Sequence, residues 1–155
     1  GKEVPKMSVY HRDIRQYIGK RSVVRVKAAV LVLNDNGEIL LLKRQNKDEW
    51  GLPIGNLKPG EALEDTASRE LWEESGLTAD DMRLLDLVSG PEYMKKQIGG
   101  DEVYYVIGVY AATGLHSAIH LSPNTEVSLK YFDFQALPVM DAITVRLLDK
   151  INKNS

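Results

Sequence analysis

One stretch constrains this chain more than any other: Gly55 to Leu77, GNLKPGEALEDTASRELWEESGL. Residues three and four apart share a helical face. The spacing therefore predicts a helix whose Glu70, Glu73 and Glu74 project to one side. Leu63, Ala67 and Leu71 recur every four residues and form an apolar stripe for a core. Gly76 stands where a left-handed C-cap residue ends a helix. The charge runs against the helix dipole. A helix C-terminus favours Lys or Arg, yet the last turn holds Glu73 and Glu74, with no basic residue after Arg69. Like charges at this spacing cost roughly 0.2–0.5 kcal/mol per pair. Carboxylates gathered at that end call for a cation. Oxygen-only clusters suit hard ions, Mg²⁺ or Mn²⁺, which are usually shared with substrate phosphates. Taken alone, REL-x-EE is more often a solvated helix face, so the decision rests on the wider spacing.

Composition removes several classes. The 155 residues suit one domain with a proper core. A net charge of −2 gives no global argument for nucleic acid or membrane partners. The absence of cysteine excludes disulfides, thiolate zinc sites and Cys nucleophiles, and suits a reducing cytoplasm. No apolar run approaches the roughly 20 residues of a membrane span, and the N-terminus lacks a signal-peptide core. A cytoplasmic protein is expected.

Along the chain, residues 8–18 predict a short helix, with Ser8 as N-cap and Gly19 as stop. Val23 to Leu33 reads as a strand buried on both faces in its second half. Asn34-Asp35-Asn36-Gly37 is turn chemistry, and Glu38 to Arg44 reads as the returning arm of a hairpin. Arg44 is a candidate phosphate contact, because Arg makes bidentate bonds to such oxygens. Trp50 can stack on a base or pack in the core. Leu77 to Asp81 reads as a loop, Arg83 to Val88 as a strand, Ser89 to Tyr93 as a loop and Val103 to Ala111 as a strand. Gly114 to Asn124 reads as a loop. Its His116 and His120 are too irregularly placed for a zinc pair and lack a third ligand. Val127 to Phe134 reads as a strand and Asp141 to Asn152 as a closing helix capped by Asp141. Strands alternating with helices and no linker predict one layered α/β domain, residues 22–155, after an N-terminal segment of residues 1–21.

The spacing in full is Gly55, five residues, Glu61, seven residues, Arg69-Glu70, an aliphatic, one residue, Glu73-Glu74, one residue, Gly76 and an aliphatic. This pattern resembles the 23-residue box of the Nudix hydrolase family, with every fixed position filled. The flanking elements resemble that family over roughly residues 22–139. Ser-Gly-Pro-Glu at 89–92 and Gly-Asp-Glu at 100–102 look like elements of a bacterial subgroup.

The resemblance implies an α/β/α sandwich: a mixed central sheet with the box helix on one side and the C-terminal helix on the other. It implies Glu70, Glu73 and Glu74, with the Ile54 backbone carbonyl, as the metal site. Ile54 stands where the family more often has Gly. Glu61 would reach back toward the metal, and Arg69 would orient the carboxylates. Glu70, Glu102 and Glu126 remain open as general base. Pro91 and Tyr93 lie about fifteen residues after the box, where the family carries subtype marks; Tyr93 joins Arg44 and Trp50 as a substrate-binding candidate. The implied activity is Mg²⁺-dependent hydrolysis of a phosphoanhydride in a nucleoside diphosphate linked to another moiety. Nucleotide sugar, dinucleoside polyphosphate and nucleoside triphosphate all stay open. The alternative is a non-catalytic nucleotide-binding or regulatory domain. Many relatives dimerise, so a homodimer through the N-terminal helix is also open.

Overall fold

The structure is a computed structural model, and it describes residues 21–117 and 126–153. The expected helix at 8–18, His120 and most of the expected loop before Glu126 lie outside the described residues. The elements run β1 (Ser22–Leu31), β2 (Ile39–Arg44), β3 (Ile54–Asn56), α1 (Leu63–Ser75), β4 (Leu77–Val88), β5 (Met94–Lys96), β6 (Glu102–Ser117), β7 (Val127–Phe132) and α2 (Ala142–Lys153). A short 3-10 turn at Pro91–Tyr93 precedes β5.

The main sheet has the order β3-β1-β6-β4, with β5 paired to the start of β6. It is mixed: β1 and β6 are parallel, and the other pairs are antiparallel. Strand side chains alternate faces, and β1 shows what that does here. Ala28, Val30 and Val32 pack with Ala67 and Leu71 of α1. Ala29 and Leu31 pack with Leu147 and Leu148 of α2. Each helix covers one face, which is the expected sandwich.

The hairpin is corrected. After the Asn34–Gly37 turn the two arms pair only at Leu33 and Ile39, with Leu40 N–H donating to the Val32 carbonyl at 2.9 Å. Strand β2 then leaves and pairs with β7 in a second, two-stranded sheet. A strand has two edges, and those of β1 are taken by β3 and β6. The expected loop at Leu77–Asp81 is also corrected. It is the first part of β4, because Leu77, Ala79 and Met82 pack against the cluster beneath α1. Gly114 to Ser117, read as loop, extends β6.

Both helix ends follow local chemistry. Gly76 takes φ 74°, and its N–H donates to the Trp72 carbonyl at 2.8 Å. Asp141 Oδ1 accepts from the Thr144 N–H at 2.7 Å, so it caps α2 as expected. The α1 start lacks a side-chain cap at Ala62. Instead Thr66 Oγ1 in the first turn donates to Glu61 Oε1 at 2.7 Å, tying the preceding loop to the helix.

Candidate active site

Arg69 is the hub of the box. Its Nε and Nη2 donate to the two oxygens of Glu61 at 2.7 and 2.9 Å. Its Nη1 donates to Glu70 Oε2 at 2.7 Å and to Glu73 Oε1 at 3.3 Å. Nη2 also donates to the Asn56 carbonyl at 2.9 Å, fastening the helix to β3. One guanidinium therefore gathers three carboxylates and the sheet edge. Charge-assisted, bidentate bonds of this kind fix geometry as well as energy.

Those bonds set the protonation states. The Arg69 hydrogen bonds, then that from Thr66, hold the Glu61 carboxyl down at about 2. Arg69 is correspondingly raised, with Glu61 the largest cause. Glu70 moves the other way. Burial pushes it above the usual carboxylate value, and Arg69 only partly offsets this.

A consequence for Glu61 is measurable. A carboxyl depressed in the folded state stabilises the fold above its unfolded value and loses that contribution as pH falls toward its folded value. The stability advantage of the wild type over Glu61→Gln is expected to be full above about pH 5 and to shrink steadily toward pH 2. Urea denaturation at stepped pH checks this; a gap independent of pH would contradict it.

Glu70 rests against Gly55. A methyl group at Gly55 would overlap the Glu70 carboxylate. Gly55 pairs with Ala28 of β1, so the carboxylate lies on the sheet at the β3–β1 edge. Ile54, one residue earlier, pairs with Ala29 and packs its side chain on the core.

Glu74 stands apart from the Arg69 cluster. It is buried, at 8 % exposure, and binds the Arg44 guanidinium through both oxygens. That hydrogen bond is the main cause of the raised Arg44 pKa. Arg44 is at the end of β2, opposite Val127 of β7. Beside it is a cleft of about 200 Å³ lined by Arg44, Gln45, Asn46, Lys47, Glu126 and Val127. Glu126 therefore shares a wall with the partner of Glu74.

Glu102 does not join the cluster. It pairs with Ser22, six residues down β1 from Ala28, or about 20 Å at the rise of a strand. Its carboxylate instead accepts from the Ser22 and Tyr104 hydroxyls, each at 3.3 Å. Tyr93 is buried in the core cluster under α2, which removes its ring from a substrate surface. Trp50 packs partly buried on the same cluster, edge-on to Phe132 with centroids 4.9 Å apart. Its core reading is the one the packing favours.

Two positions bordering the site escaped sequence reasoning. The Asn56 carbonyl carries no side-chain signal. Lys27 does: with Arg25 it puts two charges on one face of an apolar strand.

The donor set fits a hard divalent cation in its chemistry, since Glu70, Glu73 and Glu74 offer only oxygen within one turn of α1. Among the described residues no three acidic side chains converge as a formed ligand set. Glu70 and Glu73 turn to Arg69 and Glu74 turns to Arg44, so two guanidinium groups neutralise these carboxylates.

The family model described as the NUDIX domain matches residues 23–150. The chain belongs to the Nudix family. Among curated relatives, an RNA pyrophosphohydrolase of Pseudomonas putida is 39 % identical over 66 residues, which is 43 % of this chain and 42 % of the relative. The match thus spans under half the length of that relative. Among solved structures, a MutT NUDIX hydrolase from Burkholderia pseudomallei has TM-score 0.67 at 26 % identity, covering 83 % of this chain and 98 % of that one. A UDP-X diphosphatase has TM-score 0.62 at 18 % identity, covering 95 % and 71 %; that likeness shows the fold. The fold of this chain is therefore held in common with proteins of differing names.

Proposed function

We propose that the chain is a divalent-metal-dependent pyrophosphohydrolase that cleaves a phosphoanhydride of a nucleoside diphosphate linked to another moiety. The observation that carries this is the Arg69 hub, which orders Glu70 and Glu73 of α1 and Glu61 of the preceding loop beside the buried Glu74. Glu70, Glu73 and Glu74 would hold the ion, Mg²⁺ or Mn²⁺. When bound, such an ion neutralises charge on phosphoryl oxygens and acidifies a water.

The residues divide the remaining work. Glu70 is oriented by Arg69 and by the sheet at Gly55. Its carboxylate is one candidate to take a proton from the attacking water. Glu126 is the second candidate base, from the wall of the Arg44 cleft. Arg44 supplies two donors in a fixed fork, which suit a phosphate once shared with Glu74. Arg69 holds its carboxylates in place and keeps their mutual repulsion low.

The structure also separates two substitutions. Glu73 is 45 % exposed in its side chain, so Glu73→Gln is expected to remove most turnover with little effect on melting. Glu74→Gln removes the buried partner of Arg44. It is expected to lose turnover and also to cost about 1–3 kcal/mol of stability. Phosphate release across a substrate panel tests the whole reading. The panel holds a nucleoside triphosphate, a dinucleoside polyphosphate, a nucleotide sugar and, because of the Pseudomonas relative's name, an RNA with a 5′ polyphosphate. Calorimetric affinity for these with no product from any would establish a binding domain instead.

A further inference from the structure

Arg25 and Lys27 stand on the same face of β1, the face that continues into Ala29 and Leu31 under α2. Tyr105 of β6 is the direct partner of Arg25. Lys95 of β5 is the partner of Val103, which shares the Tyr105 face. The half-buried Lys27 side chain places its ammonium over the Tyr105 ring, 4.9 Å from the centroid. One cation therefore lies on the Tyr105 ring, with two more on the same sheet face.

The same registers bring Lys27 to the border of the carboxylate cluster. It lies opposite Asn56, whose carbonyl accepts from Arg69. Its chain neighbour Ala28 pairs with Gly55, on which Glu70 rests. Among the described residues no Asp or Glu forms an ion pair with Arg25, Lys27 or Lys95. Burial lowers the Lys27 pKa. Glu70 opposes that, while Lys95, Arg44 and Arg25 add to it. Like charges held together beside a low-dielectric wall repel one another, and an anion relieves them.

We propose that Lys27, with Arg25 and Lys95, forms an anion subsite next to the carboxylate cluster that takes the outer phosphoryl groups of a substrate with three or more contiguous phosphates. Between backbones the array runs two strand spacings across, about 10 Å, and four residues along, about 13 Å, from Lys27 on β1 to Lys95 on β5. That is wider than one phosphoryl group. The cluster at Glu70 handles the scissile anhydride, and the cations hold the phosphates beyond it. This deepens the hydrolase reading and rests on it for the word substrate.

The test is calorimetric titration of inorganic tripolyphosphate, and separately of pyrophosphate, into the full chain in EDTA. Binding read this way needs no turnover. Tripolyphosphate is expected to bind more tightly than pyrophosphate. Lys27→Met should weaken it by about tenfold or more, and Lys27→Arg should retain it within about threefold. Lys95→Met, at an exposed position, should give a smaller loss without disturbing the fold. Unchanged affinity in folded Lys27→Met overturns the subsite; should that variant not fold, unchanged affinity in Lys95→Met overturns it. Equal affinity for the two anions overturns the chain-length assignment. A chain that hydrolyses the nucleotide panel yet ignores Lys27 loses only this proposal. One that binds tripolyphosphate through Lys27 yet hydrolyses nothing keeps the subsite and loses the enzyme.

Discussion

Glu70→Gln is expected to lower turnover by about 10²–10⁴-fold, the range lost when a general base or an electrostatic contact to the transition state is removed. The fold should survive. Glutamine keeps an oxygen for Arg69 Nη1, and the side chain occupies the same space against Gly55. Removing the charge also lessens crowding with Glu73 and Glu74, both of which push the Glu70 pKa up. Melting within a few degrees of wild type together with a collapsed rate would separate chemistry from stability. Turnover in Glu70→Gln within a few-fold of wild type would remove Glu70 from the reaction.

Gly55→Ala is expected to do nearly as much damage from a residue with no reactive group. The position is extended strand backbone that any residue can adopt, so the substitution brings no backbone strain. What the new methyl meets is the Glu70 carboxylate. That is the far end of a flexible side chain, which can swing away cheaply. The fold is therefore kept, while the carboxylate leaves its seat. Misplacement of a reacting group by about 1 Å can cost 10²-fold, so a fall of about that size in kcat is expected. Unaltered kinetics in Gly55→Ala would mean that the seat of Glu70 on the sheet has no part in catalysis.

The two substitutions show which parts of the molecule could be read from the chain. The helix, its apolar stripe and its Gly76 cap are local matters set by periodicity and by one permissive residue, and they were legible. So was the Arg69–Glu73 pairing, because residues four apart share a face; the structure puts it at 3.3 Å. Asp141 was legible for the same local reason. The hairpin was not, since whether β2 can pair with β1 depends on strands β3 and β6 taking the edges first. Leu77 to Asp81 carries acidic and small residues that locally favour a loop, and packing under α1 overrides them. Glu102 and Glu126 looked equivalent as charged strand entries. Only the register sends the first far from Glu70 and the second to the wall beside Arg44. The Arg44 guanidinium is legible as a phosphate contact, but its bidentate hold on Glu74 joins residues thirty apart in sequence.

The proposed hydrolysis depends on the acidic end of α1 serving as a metal site. The most direct measurement is anomalous diffraction from crystals soaked in Mn²⁺. A peak within coordinating distance of Glu70, Glu73 and Glu74 carboxylate oxygens, lost in Glu70→Gln crystals, is the predicted result. A Mn²⁺ peak elsewhere, with these carboxylates still held by Arg69 and Arg44, would contradict it.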